Sequence, residues 1–166
     1  MLLNGYGYNW YRKENQLRAD DLLVRQKAGH FLVEAAQKLQ EQAAAYGRRH
    51  FPEPSREQPF PPAARMATHR LIGEQRQAIL AMEGRIRGLG APPEDKIWQR
   101  HRNEAGTLSE LVRRDVQLVG MSRDLDASVG SLAVDDWDKD ERWAPVREGL
   151  RAIGQAVTER SEFLMV

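Results

Sequence analysis

An all-α fold, an antiparallel four-helix bundle with two long helices, is what three features of this 166-residue sequence predict. Apolar residues recur at three- and four-residue steps over long stretches, no segment alternates polar with apolar as a strand does, and glycine and proline clusters separate the periodic stretches. Composition agrees: 41% hydrophobic and 30% charged is the balance of a chain that buries a core, not of a disordered one. At this length a single helical-bundle domain over 1–166 can bury roughly 70% of the unfolded chain's surface, with no metal or disulfide required.

The first stripe is Leu17, Val24, Ala28, Phe31, Ala35, Leu39, Ala43 and Tyr46, one face of a helix expected from about Asn9 to Arg48. Gly47 and the run "FPEPSREQPFPP" stop it, because proline cannot continue a helix and biases the residue before it toward extended backbone. Residues 50–62 are therefore a Pro-rich loop of polyproline character. An SH3-like or WW-like groove could read such prolines, although a lone proline cluster is more often a rigid connection between antiparallel helices.

Leu71, Ile72, Gln75, Ile79, Met82, Ile86 and Leu89 define a second helix from about Ala63 to Gly88, closed by "GLGAPP". The third is expected from about Pro93 to Leu132, with Ile97, Leu108, Leu111, Leu118, Val119, Leu125, Val129 and Leu132 inward. Gly106, Gly120 and Gly130 each cost about 1 kcal/mol relative to alanine and mark places where this helix would bend or break. The fourth carries Trp143, Val146, Leu150, Ile153, Val157 and Leu164, with Pro145 accommodated in its first turn. Short connections set sequential helices antiparallel. Helices of about 40 residues, the first and third, span roughly 60 Å, so the shorter second and fourth leave one end of the long pair uncovered.

The net charge of +1 conceals a division: residues 1–102 hold 17 Lys and Arg against 11 Asp and Glu (+6), and residues 103–166 hold 8 against 13 (−5). Such a split either sets up a dipolar surface that steers a charged partner or stacks copies, or it reflects chance clustering on solvated faces. Twenty of the 25 cations are arginine, the residue suited to phosphate, carboxylate and base stacking, though a GC-rich genome gives the same bias.

Cysteine is absent, which excludes a disulfide framework, a thiolate nucleophile and cysteine-ligated metal. No apolar run approaches the roughly 18 residues that cross a bilayer, and no secretory signal opens the chain, so a cytoplasmic protein with no membrane partner is expected.

The stretch "LNGYGYNWYRK" concentrates Tyr6, Tyr8, Trp10 and Tyr11 ahead of Arg12 and Lys13. Tyrosine, tryptophan and arginine dominate interface energetics, which suits a protein-docking arm; π faces followed by cations also suit a single-strand stacking platform. Gly5 and Gly7 suggest a flexible aromatic lead over residues 1–8, with Trp10 and Tyr11 starting the first helix and packing on the bundle. Arg48, Arg49, Arg100 and Arg102 are the cations placed to meet nucleic acid. In "VDDWDKDERW", Asp135, Asp136, Trp137 and Asp138 form a candidate contact for a basic partner, beside their simpler role as a helix N-terminal cap.

By helical phase Asp21, His101, Glu104, Asp115 and Ser122 fall on or beside the apolar stripes. If the first and third helices start at the same end, Asp21 and Glu104 lie at similar height, close enough to raise a metal site. Di-metal bundles, however, supply two Glu-x-x-His pairs, and this chain contains none. No metal or cofactor is therefore expected, and arginines such as Arg147 or Arg160 are the natural partners of this polar seam. No zinc-protease, phosphate-loop, nucleophile-elbow or dinucleotide motif is present either.

The leading expectation is a non-enzymatic bundle subunit that binds other protein chains as a scaffold or adaptor, with self-association included. The second is a sequence-nonspecific nucleic-acid-binding small subunit. In general build, a small helical bundle with a basic part resembles the small subunits lining the nucleic-acid groove of CRISPR effector complexes, by architecture alone. A bundle enzyme or metal protein comes third.

Overall fold

Four α-helices and one 3-10 turn account for the regular structure of the computed structural model, which describes the backbone of residues 4–89 and 104–165 and the side chains of residues 22–89 and 110–163. These are α1 (Asn4–His50), α2 (Ala63–Arg87), α3 (Glu104–Gly130) and α4 (Asp140–Met165), with the turn at Val134–Asp136. No strand occurs among the described residues. The helices pack as α1 on α2, α1 on α3, α3 on α4 and, more lightly, α2 on α4, which is a helical bundle.

The buried positions explain why these stretches associate. On α2 they are Ile72, Ile79 and Ile86, seven residues apart; on α3 they are Asp115, Leu118, Ser122, Leu125 and Val129; on α4 they are Trp143, Val146, Ile153, Val157 and Arg160. A repeat of three and four residues keeps one narrow seam facing the partner, the packing of near-parallel helices in bundles. The seam of α1 is Ala28, Leu32, Ala35, Ala36, Leu39 and Tyr46. Leu32 and Ala36 lie inside where the first stripe placed Phe31 and Ala43, both of which are only half-buried.

Side-chain pairs fix the directions. Glu83 packs on Gly29 and Arg65 bonds Tyr46, so α2 runs antiparallel to α1. Leu125 packs on Gly149 and Arg160 pairs with Asp115, so α4 runs antiparallel to α3. Lys38 reaches Asp126, and Gln42 donates to the Leu132 carbonyl, so α1 and α3 lie side by side and parallel. The molecule is thus two antiparallel hairpins, α1–α2 and α3–α4, laid against each other.

Several boundaries differ from expectation. α1 begins at Asn4, so the backbone of Tyr6 and Tyr8 is helical and not a lead into the helix. α3 passes through Gly106 and Gly120 without a break, and around Gly120 the buried seam residues Leu118 and Ser122 offset the local cost of glycine. Residues 90–103, which the third helix was expected to include from Pro93, lie outside the described residues. Pro145 falls in the second turn of α4, not the first; the bond it forgoes is the one to the Glu141 carbonyl. Phe51–Pro62 form the irregular Pro-rich connection, anchored by Phe51 against Tyr46 and His69.

The charge division has a structural meaning. Lys38–Asp126 (2.7 Å), Arg49–Asp135 (2.9 Å) and Arg65–Asp138 each set a cation of the basic first hairpin against an anion of the acidic second one. His50 lies 3.5 Å from Asp135 in the same sense. The split that reads as chance or as partner steering in the sequence is answered, at these pairs, within the molecule.

Candidate partner-binding surface

The two ends of the bundle differ in what their residues meet. At the end holding the α1 C-terminus, the polypeptide crosses from α3 to α4 through the acidic segment. Trp137 and Trp143 are buried there with ring centroids 4.5 Å apart. Trp143 Nε1 donates to the Trp137 carbonyl (3.1 Å), and Trp137 Nε1 donates to Gln42 Oε1 (3.3 Å). Both indole N–H groups are satisfied, as buried tryptophans require.

The acids around them are occupied in the same way. Asp136 is buried; it accepts from the Ala133 amide (3.1 Å), Arg142 (3.1 Å) and Lys139 (3.3 Å). Those bonds, led by the backbone amide, hold its carboxyl down to about 2. Asp138 accepts from the Tyr46 hydroxyl (2.7 Å), Thr68 (2.8 Å) and Arg65. Burial pushes its carboxyl up, but these bonds outweigh it, and the group sits below its ordinary value. The Tyr46 bond, ahead of Asp138 itself, raises the Arg65 guanidinium. Asp140, held by Arg147 at 2.7 Å, is likewise lowered. Of the candidate acidic contact, Asp135 and Asp138 are tied to the first hairpin, Asp136 is held within its own segment, and Trp137 is core.

Of the candidate nucleic-acid contacts, Arg49 is bound to Asp135 and Arg48 is exposed at the end of α1; Arg100 and Arg102 lie outside the described residues. In the polar seam, Asp115 Oδ1 accepts from Arg160 Nε at 2.7 Å with both side chains buried, and Ser122 donates to the Leu118 carbonyl at 2.9 Å. The side chains of Asp21 and Glu104, and His101 altogether, lie outside the described residues. Among the described residues no cluster of three His, Asp or Glu is placed to hold a metal, and no helix is long and apolar enough to cross a membrane.

At the opposite end α1 outruns the described parts of its shorter neighbours. α1 has 47 residues against 25 in α2 and 26 in α4. The chain leaving α2 is level with Arg25, whose guanidinium donates to the Leu89 carbonyl. α4 ends near the level of Val112, since Arg160 pairs with Asp115 and Arg114 lies over the Phe163 ring at 5.1 Å. The α1–α3 register, 88 residues at Lys38–Asp126, puts Val112 level with Val24. The first twenty or so residues of α1, about 30 Å of helix, therefore project past both shorter helices.

At the root of this overhang four large apolar side chains are exposed among polar ones. Leu22 is 50% exposed, Leu23 61%, Val112 50% and Val116 65%, four of the six exposed large hydrophobics among the described residues. Beside them a groove of about 460 Å³ opens between α1 and the last turns of α2, lined by Leu22, Arg25, Gly29, Val33, Glu83 and Arg87 among others. Gly29 matters to its floor: a Cβ there would stand 3.3 Å from Glu83 Oε1, and Glu83 in turn pairs with Arg87.

Tyr6, Tyr8, Trp10, Tyr11, Arg12 and Lys13 all sit on the overhang by backbone position, although their side chains lie outside the described residues. Sequence reasoning did not single out Leu22, Leu23, Val112 and Val116. A signal existed: Leu22, Leu23 and Val24 are consecutive, and a helix cannot turn three adjacent residues to one seam. Compared with protein-family models, with curated proteins and with solved structures, the chain has no match.

Proposed function

We propose that this chain is a non-enzymatic helical-bundle subunit that binds other protein chains, a scaffold or adaptor whose docking surface is the open end of the bundle. The observation that carries the reading is the contrast at that end: a helix overhang of about 30 Å rising from exposed Leu22, Leu23, Val112 and Val116. Large apolar side chains exposed together at one end of a bundle are the ordinary mark of an interaction site. The aromatic and basic residues at positions 6–13 extend the same surface with the residue types that anchor protein interfaces.

The test is purification of the full chain from its native host after mild cross-linking, beside a version lacking residues 1–21. Protein partners and nucleic acid are identified in the same preparation. A stoichiometric partner that reassembles from purified components and is lost with the truncation supports the reading. Co-purifying nucleic acid, released steeply as salt rises, replaces it with the nucleic-acid alternative. Recovery of neither sinks both and returns attention to an enzymatic role.

A further inference from the structure

We propose that the end of the Pro-rich connection and the start of α2 form a second docking surface, separate from the open end. Its partner is a protein domain with an aromatic-lined apolar pocket that takes the Phe60 ring and stacks on the prolines beside it.

Of the six exposed large hydrophobics among the described residues, four stand at the foot of the overhang, and the other two are Phe60, 77% exposed, and Met66, 42%. Both lie in one run. From Pro59 to Ala67 the sequence is PFPPAARMA, and every residue of it is exposed except Pro61 and Arg65, which are half-buried. Arg65, the one polar residue of the run, is drawn inward to the Tyr46 hydroxyl and the Asp138 carboxylate. Consecutive apolar residues left in water add nothing to the bundle's own core, and a run this long marks a surface kept for binding.

Linking two antiparallel helices does not account for the segment. Such connections take roughly 2–8 residues in bundles, and this one takes the twelve residues 51–62. The surplus is built and not slack. Phe51 is fixed at one end against Tyr46 and His69. In the middle the Ser55 amide donates to the Gln58 carbonyl (3.1 Å) and the Gln58 amide to Ser55 Oγ (3.0 Å). At the other end the Pro62 carbonyl accepts from the Met66 amide (3.0 Å). Pro59, Pro61 and Pro62 lock φ on both sides of Phe60, where the chain bends and the ring stands in solvent. An anchor held in this way loses little freedom on binding.

The chemistry of the segment names the partner's surface. With proline at three of its four positions, Pro59–Pro62 carries carbonyl acceptors and a single amide N–H, that of Phe60. A matching surface is apolar with donors and few acceptors, the composition of a pocket built from tryptophan and tyrosine. Their flat rings lie against proline and phenylalanine, and indole N–H and phenol O–H groups donate to the carbonyls. The bend at Phe60 departs from a straight polyproline helix, so the pocket takes the ring as its anchor in place of a long extended ridge.

The experiment places the photo-cross-linking residue p-benzoylphenylalanine at position 60 of the full chain and irradiates it in the native host. The attached species and its attached residues are identified, and the purified partner is titrated against wild type, Phe60→Ser, Met66→Ser and the double variant Leu22→Ser with Leu23→Ser. The expected result is a protein attached at a pocket lined by aromatic residues. Its dissociation constant should rise at least about thirtyfold with Phe60→Ser, less with Met66→Ser, and stay unchanged in the double variant. The urea midpoint of Phe60→Ser should match that of wild type, as suits a side chain 77% exposed.

No attached protein overturns the proposal, as does attachment to lipid, to nucleic acid or to a second copy of the chain. So does a captured protein whose affinity ignores Phe60→Ser, one attached where no aromatic residue lies, or a urea midpoint that falls in that variant. Binding lost in the Leu22 and Leu23 double variant but kept in Phe60→Ser overturns this surface alone and leaves the open end standing.

Discussion

The closed end of the bundle and its open end are drawn from similar residues, yet they differ in whether those residues have met their partners. At the closed end Tyr46, Trp137 and Trp143 are buried, and each of their polar atoms has found an acceptor or donor. At the open end Leu22, Leu23, Val112 and Val116 stand in solvent. The difference teaches that richness in aromatic and charged residues is a poor guide to an interaction site. Much of "VDDWDKDERW" is engaged within the molecule, whereas the surface proposed for docking at the open end carries plain aliphatic residues at the foot of a helix.

The comparison breaks hardest at the tryptophans. Trp143→Ala should lower stability by about 3–5 kcal/mol, the cost of a buried aromatic lost from a packed site, read as a shift in the urea midpoint. A loss below about 1 kcal/mol would mean the closed end is not the anchored one. Next comes the buried pair of the α3–α4 seam. Arg160→Ala should cost about 3–5 kcal/mol by leaving Asp115 buried without this partner, and Arg160→Met combined with Asp115→Leu should recover most of it. Tyr46→Phe is expected to cost about 1.5 kcal/mol, toward the low end for a bond to a charged group because Asp138 is partly exposed.

Acid offers a gentler probe of the closed end. Asp136 has a folded-state value of about 2 against an ordinary 3.8, so the folded protein binds fewer protons than the unfolded chain between those values. Its contribution is complete above about pH 4 and is lost as the pH falls toward 2. Asp136→Asn should flatten the stability profile in that window, which a series of urea melts from pH 5 to 2 will show. The smallest effect belongs to the open end. Leu22→Ser with Leu23→Ser should change stability by less than about 0.5 kcal/mol while weakening any complex formed there, and a clear drop in melting temperature would place these leucines in the core instead.

How much of this was legible in the sequence follows from the physics of each part. The helices and their number were readable, because apolar periodicity is a local property. Asp115 with Arg160 was half readable: phase put the acid on the seam and charge suggested an arginine, and geometry chose which. Trp137 was misread, since its burial depends on Gln42 and Trp143, the first of them 95 residues away in the chain. The start of α1 at Asn4 was missed because Gly5 and Gly7 argue against a helix locally. Which leucines would be left exposed depended on where α2 stops relative to α1, a tertiary register that no periodicity encodes.

The opposed charges of the two hairpins have a consequence for how the chain comes together in time. The part bearing +6 is made first, and until its −5 counterpart exists its excess of positive charge is unanswered. Like charge holds two such halves from different molecules apart, which discourages the exchange of hairpins between neighbours, while attraction draws each half to the one that follows it on the same chain. That guidance acts through solvent over the Debye length, about 30 Å at 0.01 M salt and about 10 Å at 0.1 M, so docking of the hairpins should slow as salt rises even where the finished structure barely notices.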